Sequence, residues 1–331
     1  MENIQYKAFV VEEQNKAFVH SIQYLSTDHL PKGDVLIRVS YSSLNYKDTL
    51  SASGNKGVTK NYPHTPGIDA AGIVEHSVDE KFKSGDQVIV TGYDLGMNTP
   101  GGFGQFIRVP AEWVVKLPEG LSLKESMILG TAGFTAAISV LRLSELVKPE
   151  DGKIIVSGAT GGVGSISLLL LTKLGYETVA ITGKESEHAF LKKTGCNEII
   201  SRIEFQAPDH HPLLSARYAG AIDTVGGTIL ENILKQLKPS GAVTTCGSVS
   251  ATQLNTTVFP FILRGNTLIG ISAQNYPTKY RFGLWTKLAN EWKPENLSEF
   301  FTEIKLVELE NTLDLMKNGK LKGRTIVNMN D

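Results

Sequence analysis

The sequence has few cysteines and no excess of charge of either sign. Its 331 residues include 2 cysteines, and 33 basic residues balance 34 acidic ones to a formal net charge of −1. Two cysteines without paired spacing cannot form a disulfide framework or a zinc site, so we expect Cys196 and Cys246 to be buried apolar residues. The balanced charge gives no indication of a nucleic acid or an acidic membrane as a partner.

A targeting segment and long apolar runs are also missing. The N-terminal stretch MENIQYKAFVVEEQNK carries acidic residues where a secretory signal needs a basic start and an apolar run. The apolar run Ile166 to Leu171 is too short to cross a bilayer. We therefore expect a cytoplasmic protein that does not act at a membrane.

Two kinds of sequence pattern alternate along the chain, whose length favours about two domains. From Ile4 to about Lys116, β-rich runs such as DVLIRVSYS and GDQVIVTG are separated by glycine, proline and asparagine, which predicts a partly antiparallel, barrel-like domain. From Lys153, strand-like and helical runs alternate, which predicts a doubly wound parallel sheet. The strand candidates are KIIVSG, ETVAITG, EIISR, YAGAIDTVG, GAVTTCG and NTLIGIS.

These patterns predict an α/β protein with an inserted domain. The parallel sheet is expected over residues 124–271, between a β-rich domain over residues 1–123 and a C-terminal return over residues 272–331. In the segment AIDTVGG, Asp223 is expected to end a buried strand and the two glycines to shape a turn.

Glycines concentrate in the stretch GATGGVG, between the strand-like KIIVSG and the helix-like SISLLLLTKLG. Glycine is costly to order, so this concentration needs a physical reason. Where a strand leads into a helix, the first N–H groups of the helix attract anions, and missing side chains let a pyrophosphate approach. Gly158, Gly161, Gly162, Val163 and Gly164 are therefore predicted to bind a dinucleotide, although their spacing is one residue longer than the usual pattern. The alternative is a tight structural turn.

The end of the next strand indicates which dinucleotide is bound. An NAD site usually places an acidic residue there to hold the ribose 2′-hydroxyl, whereas an NADP site supplies a cation. This chain reads Thr182-Gly183-Lys184, which favours NADPH. Glu185 and Glu187 argue against it, although acidic residues in the first turn of a helix also favour its dipole.

Over nearly its whole length the chain resembles one known family. The segments that carry the resemblance are SSLNYKDTL, PHTPGIDAAG, GTAGFTAA, GATGGVGS, GAIDTVGG, PFILRGNTLIGIS and GRTIVN. They resemble the zinc-free branch of the medium-chain dehydrogenase/reductase superfamily, and within it the quinone oxidoreductase group that includes acryloyl-CoA reductase. The resemblance implies a GroES-like catalytic domain that residues 272–331 complete, a Rossmann domain in the middle of the chain, NADPH as cofactor and a homodimer.

The residues at the metal positions of this superfamily predict that no metal is bound. In zinc-bearing relatives a cysteine stands at the place of Asn45, and a Gly-His-Glu at the place of Gly67-Ile68-Asp69. Neither Asn45 nor Ile68 supplies a thiolate or an imidazole. The stretch from Tyr93 to Phe106 contains no cysteine for a structural zinc lobe.

Without a metal as Lewis acid, we expect a substrate that is already electrophilic, such as a conjugated alkene or a quinone. The protein must then orient this acceptor and stabilise the negative charge that develops on its oxygen. Asn45, Tyr46 and Asp48 are the candidate catalytic residues: Asn45 and Tyr46 as hydrogen-bond donors to the substrate or the cofactor, and Asp48 in orienting them. The alternative is that Asn45 and Asp48 cap a helix. No role is predicted for Lys47.

The resemblance and the strand ends supply further cofactor contacts. Thr131 and Phe134 match a segment that packs against the nicotinamide, and Ser248 and Ser272 lie near strand ends, where ligands of open α/β sheets bind. Arg202 and Arg324 match basic positions, with exposed surface cations as the alternative for both. The predicted cofactor contacts outside the glycine turn are Tyr46, Thr131, Phe134, Thr182, Gly183, Lys184, Arg202, Gly247, Ser248, Ser272 and Arg324.

Three functional hypotheses follow. The first is a metal-free, NADPH-dependent reductase of small 2-enoyl compounds, with acryloyl-CoA as the substrate that the resemblance suggests. The alternatives are a quinone or enone reductase of broad specificity and a non-catalytic NADPH-binding protein. A CoA substrate needs cations for its phosphates, and Lys56, Lys60 and Lys279 are the candidates.

Overall fold

The structure is a computed structural model that describes residues 3–207 and 209–330. Contacts divide the chain into two compact units. Unit 1 consists of Met1–Thr131, Gln274–Asn290 and Asn296–Asp331, and unit 2 of Ala132–Ala273 and Glu291–Glu295.

The strands and helices of the described residues follow one another along the chain. The strands are β1 (Gln5–Gln14), β2 (Ala17–Ser26), β3 (Val35–Ser43), β4 (Asp69–Ser77), β5 (Gln87–Thr91), β6 (Phe106–Val109), β7 (Val114–Lys116), β8 (Ile154–Val156), β9 (Thr178–Thr182), β10 (Glu198–Ser201), β11 (Tyr218–Asp223), β12 (Leu237–Thr245), β13 (Thr267–Gly270), β14 (Phe301–Lys305) and β15 (Arg324–Asn328). The helices are α1 (Tyr46–Ala52), α2 (Leu123–Ser144), α3 (Gly162–Lys173), α4 (His188–Lys193), α5 (Arg202–Phe205), α6 (Gly227–Gln236), α7 (Phe259–Arg264), α8 (Thr278–Ala289) and α9 (Leu309–Lys317).

Unit 1 is built around a largely antiparallel sheet. Its strands lie in the order β14-β15-β3-β4-β5-β7, with β6 also paired to β3, and β1 and β2 form a separate hairpin. Alternate residues of β3, Val35, Ile37 and Val39, point into the core, as the twofold period of a strand requires. This confirms the predicted β-rich domain. The C-terminal strand β15 inserts between β14 and β3, so the end of the chain completes the sheet.

Unit 2 is a parallel sheet in the order β10-β9-β8-β11-β12-β13, which confirms the predicted doubly wound fold. The central strand β8 is buried at every residue, as is typical of a parallel strand covered on both faces. Strand order reverses at β8, between β9 and β11, and ligands of such sheets bind outside the carboxyl ends of the strands at that point. Cys196 is buried as predicted, whereas Cys246 is only partly buried.

Helix α2 is broken at Gly130, whose backbone has φ 52° and ψ −158°. A Cβ atom there would come within 2.6 Å of Asp69 Oδ2, so glycine is required at this position. The first segment of unit 1 ends at the next residue, Thr131, and unit 2 begins at Ala132. The boundary after residue 123 stays a prediction.

Helix α2 is also long and apolar enough to cross a membrane by length and composition alone. However, 83% of its apolar window is buried inside the protein, as in a core helix. The stretch that begins at Leu123 has the pattern of a helix in the sequence, and α2 confirms it. The apolar run Ile166 to Leu171 lies in α3.

Candidate functional site

Asp69, the first residue of β4, is the centre of a buried polar cluster in unit 1. Its Oδ2 atom accepts hydrogen bonds from Ser43 Oγ at 2.5 Å, Asn45 Nδ2 at 2.8 Å and the Thr131 main-chain N–H at 2.8 Å. Its Oδ1 atom accepts from Thr131 Oγ1 at 2.5 Å. These donors offset the cost of burying a carboxylate, and Asp69 thereby holds Asn45 and Thr131 in place.

Asn45 and Asp48 fix the start of α1. The Asn45 main-chain N–H donates to Asp48 Oδ2 at 2.7 Å, and the Ile68 N–H donates to Asp48 Oδ1 at 2.9 Å. The Asn45 amide group donates to Ser43 O and to Asp69 Oδ2. The amide hydrogens that were predicted to serve the substrate or the cofactor are therefore engaged within the protein, and any catalytic role of Asn45 stays a prediction.

Burial raises the pKa of Asp48 from 3.8 to about 7. The neighbouring charge of Asp69 adds to this rise, and the N–H groups of Asn45 and Ile68 oppose it. Asp48 therefore exchanges a proton near neutral pH.

The raised pKa of Asp48 predicts that the stability of the protein depends on pH. Because the folded state binds this proton more tightly than the unfolded state, the contribution of Asp48 to the free energy of unfolding falls as pH rises from 3.8 to about 7. Unfolding in urea across this range should show wild type losing stability relative to Asp48→Asn, which has no proton to lose. Parallel pH profiles of the two proteins would show that Asp48 does not titrate in this range.

Arg324 is the counter-ion of the cluster. It begins β15 and is fully buried, and its guanidinium donates to Ile128 O at 2.9 Å, to Leu44 O at 3.2 Å and to Ser43 Oγ at 2.9 Å. Because Ser43 Oγ in turn donates to Asp69, its hydroxyl links the two charges. Burial lowers the pKa of Arg324, and the two carboxylates oppose this effect. Arg324 was predicted to contact the cofactor, with an exposed charge on an edge strand as the alternative. Neither holds, because β15 lies inside the sheet and the Arg324 side chain is buried.

Two glycines, Gly101 and Gly102, allow main-chain segments beside this cluster to pack closely against each other. A Cβ atom at Gly102 would lie 2.0 Å from Asp69 O, and one at Gly101 would lie 2.3 Å from Gly67 O. Only glycine permits these approaches. Among the described residues, no three histidine, cysteine, aspartate or glutamate side chains come together as a possible metal site.

The glycine turn of unit 2 lies between β8 and α3. Gly158 has φ 56°, and a Cβ atom there would meet Thr224 Oγ1 at 2.3 Å. A Cβ atom at Gly164 would lie 2.4 Å from Gly158 O, whereas one at Gly161 would contact only that oxygen, at 3.2 Å. The space beside Gly161 is therefore open to a ligand. Gly162, Val163 and Gly164 open α3, where N–H groups have no partner within the helix.

Asp223, at the end of β11, stabilises this turn through hydrogen bonds. Its carboxylate accepts hydrogen bonds from Ser157 Oγ at 2.7 Å, from Thr245 Oγ1 at 2.8 Å and from the Gly226 N–H at 3.0 Å. Ser157 directly precedes Gly158. The structure confirms that Asp223 ends a buried strand and has a structural role.

Arg202 lies over Gly183 at the end of β9. A Cβ atom at Gly183 would come 2.8 Å from the guanidinium carbon and from two of its nitrogens. The parallel pairing of Ser201 with Thr182 brings the start of α5 to this edge, where the Lys184 N–H donates to Thr182 Oγ1 at 3.0 Å. The structure thus brings the predicted residues together and places a guanidinium where an NAD site usually has an acid.

The remaining predicted cofactor residues differ in how far their side chains are exposed. Gly247 reaches the same edge of the sheet, because a Cβ atom there would lie 1.9 Å from Thr224 O. Tyr46 is 46% exposed on α1. Phe134, in contrast, is 1% exposed, which leaves its side chain no surface for the predicted nicotinamide contact. Ser248 and Ser272 follow β12 and β13, and their roles stay predictions.

Comparison with known proteins shows the family to which this chain belongs. Residues 31–119 match the family described as the alcohol dehydrogenase GroES-like domain, and residues 162–290 match the family described as zinc-binding dehydrogenase. The chain is 41% identical over 325 residues to an Escherichia coli protein named "Probable acrylyl-CoA reductase AcuI", and the match covers 98% of this chain and 100% of the relative. The chain belongs to the medium-chain dehydrogenase/reductase family. This confirms the family to which the motifs pointed.

Other members of the family agree over the same length. The acrylyl-CoA reductase AcuI of Ruegeria pomeroyi is 38% identical over 98% of this chain and 99% of its own. The yhdH oxidoreductase of Salmonella enterica, solved in complex with NADP, has a TM-score of 0.94 at 41% identity over 97% of this chain and 99% of its own. Bacillus subtilis yhfP, solved with NAD bound, has a TM-score of 0.95 at 39% identity over 98% and 99%. Solved relatives thus hold either dinucleotide, and they confirm the predicted fold class.

Sequence reasoning missed the centre of the cluster in unit 1. Asp69 was considered only as the last residue of Gly67-Ile68-Asp69, and Ser43 was not considered at all. The available signal was an acidic residue at the start of the otherwise apolar run DAAGIV. A charged residue in such a position is buried only when it has partners.

Proposed function

We propose that this protein is an NADPH-dependent oxidoreductase that reduces the activated double bond of a 2-enoyl compound, with acrylyl-CoA as the specific candidate. The observation that carries the proposal is the guanidinium of Arg202 above Gly183 at the cofactor edge of unit 2, in a chain whose full-length relatives are named acrylyl-CoA reductase. A cation at this position favours a dinucleotide with a 2′-phosphate.

The residues of unit 2 fit NADPH. The N–H groups at the start of α3 would hold the pyrophosphate, because the glycine turn has no side chain in the way. Arg202 and Lys184 would pair with the 2′-phosphate. When bound, NADPH supplies a hydride to the substrate.

Removing Arg202 tests this selectivity. Arg202→Ala should weaken NADPH binding tenfold to a hundredfold relative to NADH, since a charge-assisted hydrogen bond contributes about 1.5–3 kcal/mol. Lys184→Ala should act in the same direction, because Lys184 adjoins the same position. Fluorescence titration of both dinucleotides measures the ratio, with the surface variant Lys192→Ala as control. Equal losses for NADPH and NADH would contradict the assignment.

We infer that the reaction uses no metal, although one matched family is described as zinc-binding. The support is chemical: Asn45 donates its amide hydrogens to Ser43 and Asp69, and Ile68 offers only an apolar side chain. Stoichiometric zinc in the purified protein would overturn this inference.

The surroundings of two candidate lysines in unit 1 support a choice of the cation that would hold the phosphates of CoA. Lys56 is already paired with Glu13 Oε2 at 2.7 Å and lies over the Tyr62 ring. Lys279 stands 4.8 Å over the centre of the exposed Tyr280 ring at the start of α8. Lys279 and Tyr280 together would offer a cation for a phosphate and a ring for an adenine, so we favour Lys279 over Lys56.

We further propose a cytoplasmic homodimer. Strand β13 lies at the edge of the parallel sheet of unit 2, and edge strands present unpaired N–H and C=O groups. The adjacent Val258, Ile262 and Leu263 are apolar and exposed. A second copy would cover this surface, and light scattering at a twofold monomer mass would support it.

The function is tested by the oxidation of NADPH with acrylyl-CoA, a simple enone and a quinone in parallel. Fast turnover of the CoA ester alone supports the proposal. Comparable slow rates on all three favour a reductase of broad specificity, in line with a pig relative named quinone oxidoreductase that is 30% identical over 68% of this chain. Tight NADPH binding without oxidation of any substrate would favour a non-catalytic protein.

A further inference from the structure

Lys47 occupies a position that helix stability does not explain. It lies in the first turn of α1, between the exposed Tyr46 and the buried Asp48, and its side chain is partly buried. Its Nζ atom donates to Gln274 Oε1 at 2.6 Å. A cation at this end of a helix faces the positive end of the helix dipole, and this hydrogen bond joins it to a neutral amide.

The partner of Lys47 is itself held by a buried arginine. Arg281 is 1% exposed and donates to Gln274 O at 2.9 Å, to Thr91 O at 2.9 Å and to Tyr276 O at 3.1 Å. Its guanidinium carbon also lies 4.2 Å from the centre of the Tyr93 ring. Gln274 is therefore fixed by the core of unit 1, and the ammonium group of Lys47 has a defined position.

The surroundings of Lys47 favour release of its proton. Burial lowers its pKa, and the carboxyl group of Asp48 on the same helix acts in the opposite direction. From the segment that precedes α8, Lys47 meets the uncharged amide of Gln274, behind which lies the guanidinium of Arg281. A lysine in such surroundings is a stronger acid than one in water.

The carboxyl groups nearby cannot take this role. Asp48 and Asp69 are both 0% exposed, and their oxygen atoms accept hydrogen bonds from protein donors. The Asp48 proton is thus held away from any ligand. Lys47, on the rim of the same cluster, is accessible.

We propose that Lys47 is the proton donor in the reduction and that Gln274 is the residue that positions it. This inference rests on the proposed function. As hydride forms a new C–H bond at Cβ of the enoyl thioester, the C=C π electrons move toward the carbonyl and leave an enolate. The enolate Cα then takes a proton from the Lys47 ammonium, the thioester carbonyl re-forms, and the neutral amine regains its proton from water.

Two substitutions separate proton donation from positive charge. Lys47→Met removes the amine, whereas Lys47→Arg keeps the charge on a group that does not release its proton. Both should lower kcat for acrylyl-CoA on the order of a hundredfold or more, with NADPH affinity unchanged. The wild-type kcat should fall at alkaline pH as Lys47 loses its proton, and this fall should be absent in Lys47→Met. Gln274→Met should give a smaller loss and shift the alkaline fall, and Lys32→Met is the exposed-lysine control.

A measurement independent of turnover accompanies these assays. NMR titration of isotopically methylated lysines, with the Lys47 signal assigned through Lys47→Arg, should show a pKa below that of lysine in water. If Lys47→Arg or Lys47→Met retains wild-type kcat, or if the pKa of Lys47 is not below that of lysine in water, the inference is wrong while the proposed function stands. If wild type reduces no enoyl thioester, the proposed function fails and this inference fails with it.

Discussion

Asp69→Asn should destabilise the protein by about 3–5 kcal/mol, the cost of breaking a buried charge pair by removing one partner. The substitution removes one of the two carboxyl groups, Asp69 and Asp48, that offset the buried charge of Arg324, and Asp69 is the one linked to it through Ser43 Oγ. It also places an amide group among the donors Ser43, Asn45 and Thr131, which all donate to the present carboxylate. Urea unfolding of the wild type and the variant measures the loss.

A double-mutant cycle supplies the control for this prediction. Arg324→Met alone should also be destabilising, because it leaves the carboxylate of Asp69 without its counter-ion. The double variant should lose much less than the sum of the two single losses, since neither charge then remains unbalanced. Additive losses would show that Ser43 does not couple Asp69 to Arg324.

Gly158→Ala should abolish most of the NADPH affinity, on the order of a hundredfold, because several charge-assisted contacts depend on the shape of the turn. The added Cβ atom would lie 2.3 Å from Thr224 Oγ1, in a backbone conformation with φ 56° that side chains disfavour. The turn must therefore shift, and the start of α3 with it. Fluorescence titration with NADPH measures the loss.

Gly175→Ala is the matched control for Gly158→Ala. Gly175 also belongs to unit 2 and has φ 83°, but a Cβ atom there meets nothing within 4 Å. This variant carries the cost of the backbone conformation, roughly 1–2 kcal/mol, without the collision. Its NADPH affinity should equal that of wild type. Equal losses in the two variants would show that backbone strain, and not the shape of the turn, reduces binding.

Local spacing in the sequence was sufficient to predict the glycine turn between β8 and α3. Strand, glycines and helix follow one another within a short stretch, so Gly158, Gly161 and Gly164 could be assigned from their order alone. The placement of Lys184 beside Gly183 followed in the same way. Arg202 was assigned only by resemblance, because its position over Gly183 depends on the pairing of β10 with β9.

The cluster in unit 1 could not be predicted in this way, because its members are far apart in the chain. Arg324 meets Ser43 because β15 pairs with β3 in a register that sets Ile326 opposite Ser43. Thr131 reaches Asp69 because α2 breaks at Gly130. Neither a register between distant strands nor a break within a helical pattern leaves a signal in nearby residues.

The sequence by itself determined the fold class and the position of the glycine turn, since periodicity and glycine spacing are properties of neighbouring residues. The family followed from the resemblance of its motifs to known sequences. Only the tertiary structure decided the environment of each charged group. It buried Arg324 as a counter-ion, engaged the amide of Asn45 with Asp69, and set Lys47 against an amide fixed by Arg281. Burial and partners determine what a charged side chain can do, and both arise from contacts between residues distant in sequence.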